Sequence, residues 1–180
     1  QGDVRRNALS DFANVMRNGK IAMKLPEGVE LIGARMATEN DDVMLVTASG
    51  RAIRFQTTDV RVFKGRDSTG VRGIRLAGDN RVVSMSIIRH FEAEPSERAA
   101  YLKMRRAVEG ALDDGAEADE DEENVAEAAI TQERYAEMSA AEDLILTITA
   151  KGSGKISSSF DYPLRGRGGQ GVMAMDKALR

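Results

Sequence analysis

The chain has 180 residues, 42% of them hydrophobic, and a formal net charge of −3 from 26 Lys and Arg against 29 Asp and Glu. With no cysteine and a single histidine, disulfides, thiolate zinc sites, cysteine nucleophiles and multi-histidine metal centres are excluded, and the composition fits a reducing cytoplasm. No apolar run reaches the length of a membrane span, and no signal-peptide core opens the chain.

In chain order, short β-rich runs occupy residues 21–25, 29–36, 43–47, 51–55, 71–76 and 81–88, and again 144–149, 155–160 and 172–175. They stop at glycines, as strands stop at turns. Ala52-Ile53-Arg54-Phe55 and Ser84-Met85-Ser86-Ile87 alternate in the manner of a sheet with one wet face. Residues 43–46 and 144–146 are continuously apolar and read as strands covered on both sides. Phe55, Phe160 and Tyr162 are core or turn-packing candidates, as are Met44, Met85, Met173 and Met175.

Residues 92–143 differ in kind. They carry 17 acidic and 5 basic side chains, a net of −12, while the other 128 residues carry 12 acidic and 21 basic, a net of +9. Glu94-Pro95-Ser96-Glu97 starts a helix with proline in its first turn, and Tyr101, Met104, Val108 and Leu112 form its apolar stripe. Residues 113–123 are a nearly continuous acidic run, which repels itself and reads as a loop. Asn124 can cap a second helix to about Ala140, with Val125, Ala128, Tyr135 and Met138 on one side. The expected object is an acidic helical hairpin between two β-segments.

Those β-segments repeat. Val46-Thr47-Ala48-Ser49-Gly50 lies on Ile148-Thr149-Ala150-Lys151-Gly152, and Gly65-Arg66-Asp67-Ser68-Thr69-Gly70-Val71 lies on Gly166-Arg167-Gly168-Gly169-Gln170-Gly171-Val172. With the insertion removed the period is about 50 residues, in the range of propeller blades. One four-stranded blade cannot bury both faces alone, so blades stack around an axis. The fold class is therefore mainly β, a partial propeller of two to three four-stranded blades with an inserted α-helical hairpin.

At Asn18-Gly19-Lys20-Ile21-Ala22-Met23-Lys24-Leu25, Glu30-Leu31-Ile32-Gly33, Val43-Met44-Leu45, Gly50-Arg51-Ala52-Ile53-Arg54-Phe55 and Gly70-Val71-Arg72-Gly73-Ile74-Arg75-Leu76 the chain resembles the C-terminal domain of the DNA gyrase A protein. The equivalent protein of topoisomerase IV shares this domain in looser form, and the last of these runs favours gyrase. The resemblance covers residues 2–91 and 142–176 and leaves 92–143 without a counterpart. It implies a six-bladed β-pinwheel whose basic rim wraps duplex DNA, so that ATP-driven strand passage introduces negative supercoils. The cleavage tyrosine, the ATPase and the metal site then lie elsewhere in the holoenzyme, and this part is non-catalytic with no cofactor of its own. Its partners would be duplex DNA, the rest of gyrase A and the gyrase B protein, at a cytoplasmic, nucleoid-associated location. Residues 1–91 would be the second and third blades, 92–143 the insertion and 144–180 part of the next blade.

The turn Arg165-Gly166-Arg167-Gly168-Gly169-Gln170-Gly171 resembles the gyrase box, which reads Gln, two basic residues, Gly-Gly, a basic residue and Gly. Arg167, Gly168, Gly169 and Gly171 match, whereas Arg165, Gly166 and Gln170 depart. It is box-like, and the resemblance places the true box upstream.

Wrapping needs phosphate contacts along a curved track, from Arg and Lys and from glycine turns whose backbone N–H groups can approach closely. Arg51, Arg54, Lys64, Arg66, Arg72 and Arg75 cluster around one module's turns. Lys151, Lys155, Arg165 and Arg167 do so around the other, and Arg5, Arg6, Arg17, Lys20 and Lys24 precede both. Each is either a phosphate contact or a solvated outward position; Arg66, Arg165 and Arg167 flank glycine-rich turns. With 5 Phe, 3 Tyr and no Trp, stacking platforms for single strands are scarce, which favours duplex recognition.

Rival motifs fit poorly. Gly166, Gly168 and Gly171 have dinucleotide-fingerprint spacing without a following helix, and Gly154-Lys155 is followed by Ile156 where a phosphate loop needs Ser or Thr. His90 reads as a boundary residue. The insertion is either a tolerated surface segment or one that binds a partner or folds over the basic rim. From a different class, a propeller used as a protein-interaction module would dock its partner on that insertion.

Overall fold

The computed structural model describes residues 1–65, 67–110 and 129–175. Arg66, the acidic run at 113–123, Leu112, Asn124, Val125 and Ala128 lie outside the described residues. Strands β1 (Asp3–Val4), β2 (Asp41–Thr47), β3 (Arg51–Gln56), β4 (Val71–Arg72) and β5 (Val82–Arg89) precede helices α1 (Pro95–Gly110) and α2 (Gln132–Ala141). Strands β6 (Leu144–Ile148), β7 (Gly154–Ser158) and β8 (Val172–Met173) follow. The sheets are antiparallel: a four-stranded β5-β2-β3-β8 and the pairs β1-β4 and β6-β7. This is a mainly β molecule with a partial pinwheel and a helical insertion.

The repeat read from the sequence is a repeat of structure. Hairpins β2–β3 and β6–β7 are each followed by a 3-10 turn, Thr57–Asp59 and Ser159–Asp161, 102 positions apart. Each loop then ends in a left-handed glycine, Gly70 at φ +91° and Gly171 at φ +71°. The short strand after that glycine leaves its own module. β4 pairs with β1 through Val71↔Val4, and β8 pairs with β3 through Val172↔Ala52. Consecutive modules are thereby sewn together by exchanged strands.

Burial on both faces of β2 and β3 explains why these strands are the most apolar. Val43, Leu45, Ile53 and Phe55 pack against Val60, Phe63 and Ile74 on one side. Met44 and Ala52 pack against Ile88 and against Tyr162 and Ala174 of the following module on the other. Full burial of each such large side chain contributes about 1.5–3 kcal/mol. The alternation in Ala52-Ile53-Arg54-Phe55 therefore does not mark a wet face: all four residues are buried.

Two sequence expectations are corrected. Residues 21–25 and 29–36 form no strand, and Ile21 (67% exposed), Leu31, Ile32 and Met36 face solvent. Among the described residues no strand pairs with them, and without a ladder partner a run of this kind is not held as a strand. Likewise β6 is not covered on both sides: Ile145 packs against the cluster of Met44, Ala52, Ile88 and Tyr162, whereas Leu144, Leu146 and Ile148 on the opposite face are exposed, with no second layer over them among the described residues.

The helices are anchored rather than appended. Pro95 opens α1 as expected, but the contact stripe is Tyr101 and Leu102, while Val108 is exposed. Helix α2 is capped by the Thr131 side chain, which accepts from the Arg134 N–H at 3.1 Å. Tyr101, Leu102 and Met138 close around Phe160 of the following module, with Tyr101 edge-on to Phe160 at 5.1 Å between centroids. Burial, with the nearby Glu142 carboxylate adding, pushes the Tyr101 phenol up to about 12. Between the helices Arg134 bonds Glu97 at 2.8 Å and holds that carboxyl below its ordinary range, with the Glu94 N–H assisting. Because the Phe160 ring is shared by helices and sheet module, Phe160→Ala is expected to cost about 3–5 kcal/mol in urea unfolding. The loss of helical circular dichroism should precede the loss of sheet. A cost below about 1 kcal/mol would show that the helices do not share the blade core.

Candidate nucleic-acid interface

The box-like turn is a clasp on the preceding module. Gly168 N–H donates to the Gly73 carbonyl at 2.6 Å, and Gly169 accepts from the Arg75 N–H at 2.8 Å. Ala174 N–H donates to Gly50 at 2.8 Å. Gly171 lies so close to β3 that a Cβ would overlap the Ala52 carbonyl. Gly166 has open space around it, and Gln170 is exposed. The glycines thus serve close backbone approach between modules, and the turn's cations stand at its edge.

Among those cations the structure separates three groups. Arg54 is a correction to the sequence reading. It is 4% exposed, its Nε bonds Asp42 at 2.8 Å, and its Nη1 and Nη2 reach the Ser159 and Arg89 carbonyls. All three nitrogens are engaged inside the protein, so Arg54 is a tie between modules and not a phosphate contact. Three further residues spend part of their donors on the turns. Arg51 Nη1 bonds Gly171 O at 3.0 Å. Arg167 bonds the carbonyls of Asp59 at 2.9 Å and Arg72 at 3.2 Å. Lys20 Nζ closes its own turn on Asp11 and Asn14, both at 2.9 Å. The remainder, Lys24, Lys64, Arg72, Lys151, Lys155 and Arg165, are exposed and have no carboxylate partner among the described residues. Arg66 lies outside them.

The structure brings several of these together. Arg167 lies over the Arg72 carbonyl, and the backbone of Arg75 joins the same turn, which collects Arg51, Arg72, Arg75 and Arg167 at one inter-module junction. A second group gathers at Ser68. Lys24 N–H donates to Ser68 O at 3.2 Å, and Arg5 Nη1 donates to the same carbonyl at 2.7 Å. Lys151 and Lys155 stand apart, at the tip and on the strand of the β6–β7 hairpin.

Sequence reasoning missed Arg61. Its guanidinium stacks 3.8 Å from the Phe63 ring centroid, with Arg5 at 4.8 Å from the same centroid. Phe63 is buried, so the exposed Arg61 is held against a fixed platform. The Arg61-x-Phe63 spacing was the available signal. Among the described residues no group of three or more His, Cys, Asp or Glu is placed to hold a metal ion. No helix among them is long and apolar enough to cross a membrane.

Known proteins share this arrangement of repeated hairpins and turns. The DNA gyrase A protein of Granulibacter bethesdensis is 48% identical over 99% of this chain, and the chain spans 20% of that relative's length. The DNA gyrase A protein of Rickettsia bellii is 40% identical over 98% of the chain, which spans 19% of it. The crystal structure of the C-terminal domain of DNA topoisomerase IV superposes with a TM-score of 0.61 at 16% identity, covering 96% of this chain and 38% of that one; it shows the fold. The family model described as DNA gyrase C-terminal domain, β-propeller, matches residues 4–38, 41–89 and 143–180, the stretches that carry the repeated hairpins and the box-like turn. On that match the chain belongs to the DNA gyrase C-terminal domain β-propeller family.

Proposed function

We propose that this chain is a duplex-wrapping, non-catalytic part of a DNA gyrase A protein, supporting ATP-dependent negative supercoiling by the complete enzyme. Under this reading ATP and magnesium are used elsewhere in the enzyme. The chain's partners are duplex DNA, the rest of gyrase A and the gyrase B protein, in the cytoplasm at the nucleoid. Residues 1–91 supply the second and third blades and 144–180 part of the fourth, with the full box on the first. The observation that carries the reading is the set of exposed cations at and around the inter-module junctions that have no carboxylate partner among the described residues: Lys24, Lys64, Arg72 and Arg165, with Arg61 added. Charge placed where successive modules join follows the modules' curvature, which a wrapped duplex needs. Bending the duplex costs of order several kcal/mol, so many weak contacts must act together.

The test is a titration of duplex DNA against salt. If six phosphates are engaged, log affinity falls with log salt at a slope of about −5. Arg72→Gln should reduce the magnitude of that slope by about one, with little dependence on DNA sequence. Duplex affinity that does not respond to salt between about 50 and 200 mM would remove the reading.

A further inference from the structure

Residues 4–7, at the end of β1, grip the next module on both sides of Lys64. The Arg6 carbonyl accepts from the Phe63 N–H at 2.9 Å, and a Cβ on Gly70 would overlap the Val4 carbonyl, so the backbone is fixed at Phe63 and again at Gly70. Side chains hold the chain between. Asn7 Nδ2 donates to the Phe63 carbonyl at 3.2 Å and to the Gly65 carbonyl at 3.3 Å, the carbonyls before and after Lys64. Asn7 Oδ1 accepts from Arg5 Nε at 2.9 Å, which decides how the amide is oriented: its nitrogen must face the two carbonyls. Arg5 is itself fixed, because its Nη1 donates to the Ser68 carbonyl at 2.7 Å and hydroxyl at 2.6 Å, and its guanidinium lies 4.8 Å from the Phe63 ring centroid.

The repeat shows that the module's fold does not need this polar pair. Val4 pairs with Val71 as Ala52 pairs with Val172, which sets Arg5 and Asn7 at the positions of Ile53 and Phe55 in the next module. Ile53 and Phe55 are buried in the core, whereas Arg5 and Asn7 are half-buried and bond to Phe63, Gly65 and Ser68. Lys64 is the residue this arrangement serves. Its side chain is exposed and has no carboxylate partner among the described residues, and Asp67, three residues on, forms no ion pair there either. A lysine on a long flexible stem loses less freedom on meeting a phosphate when its backbone is already held.

We propose that Asn7, oriented by Arg5, is a positioning residue for a duplex phosphate contact made by Lys64, so that one module sets the contact residue of the next. The inference rests on the duplex-binding reading and gives it a residue that carries no charge.

The experiment is a duplex titration at several salt concentrations of the full chain, Asn7→Ala, Lys64→Gln and the double variant, with urea unfolding on the same samples. Lys64→Gln is expected to weaken binding about tenfold at low salt and to take about 0.9 from the magnitude of the salt slope. Asn7→Ala should weaken binding about three- to fivefold and leave the slope unchanged, because the cation remains and only its placement is lost. The double variant should bind as Lys64→Gln does, since Asn7 then has no contact to position. A structural role that does not act through Lys64 would weaken both backgrounds by the same factor, and that additivity would overturn the proposal. So would an Asn7→Ala protein that binds as the wild type does, or a Lys64→Gln protein with an unchanged slope. If Asn7→Ala is unfolded, Asn7→Ser takes its place in the same cycle, because its hydroxyl can accept from Arg5 but cannot donate to both carbonyls. An additive cycle with salt-dependent wild-type binding removes the positioning role and leaves the duplex reading standing. If the wild type has no duplex affinity, both fall.

Discussion

Gly171→Val is expected to destabilise the fold by about 3–5 kcal/mol, whereas Gly166→Val, five residues earlier in the same turn, should stay within about 0.5 kcal/mol of wild type. The difference is geometric. Gly171 has φ +71°, a region that a β-branched residue enters only with strain, and its Cβ would overlap the Ala52 carbonyl oxygen and stand 2.7 Å from the Ala52 carbonyl carbon. Neither the backbone of β3 nor that of the turn can yield without breaking the Arg51↔Met173 and Ala52↔Val172 pairing. At Gly166 no atom lies within 4 Å of where a Cβ would stand and φ is not positive, so a side chain there meets water. Gly70→Val should behave like Gly171→Val, because its Cβ would overlap the Val4 carbonyl where β4 joins β1. Urea unfolding of the three variants measures this. Equal losses at Gly166 and Gly171 would mean that the exchanged strand contributes little to holding modules together.

That same exchange shows why some of the structure was legible in the sequence and some was not. The β2–β3 hairpin is local: apolar Val43 to Val46, a turn at Ser49-Gly50 and the run from Arg51 stand close in the chain, and Gly50 takes φ +75° as a turn glycine does. The module repeat was legible for the same reason, since its glycines recur at matching offsets. What covers a strand is decided by residues far away. Arg54 alternates like a solvent-facing residue, yet Ser159, 105 positions later, supplies a carbonyl that helps to bury it. Leu144 and Leu146 read as strand interior by composition, but no second layer covers that face among the described residues. At the candidate interface, sequence could nominate cations by proximity to glycines, as with Arg165 and Arg167. It could not separate Arg167, which spends donors on Asp59 and Arg72, from Arg165, which keeps them.

Asp42→Ala is expected to be the most damaging single change to a charged residue, costing about 3–5 kcal/mol, with no effect on the salt slope of duplex binding by the molecules that remain folded. Asp42 is fully buried and accepts from Arg54 Nε at 2.8 Å through one oxygen, while its other oxygen lies 2.9 Å from His90 Nδ1. Removing the carboxylate leaves the Arg54 guanidinium buried without a counter-charge, since its other contacts are to the Ser159 and Arg89 carbonyls. Arg54→Met should cost a similar amount, because it abandons the Asp42 carboxylate in the same place. The double variant Asp42→Ala/Arg54→Met is expected to lose less than the sum of the two, since neither charge is then left unpaired. This pattern also decides what Arg54 does. A phosphate contact would lose salt slope and little stability on Arg54→Met, whereas a tie joining β2, the end of β5 and the next module's turn loses stability and keeps the slope. Urea unfolding with duplex titration on the same samples separates the two, and a stable Arg54→Met protein with a shallower slope would return Arg54 to the track.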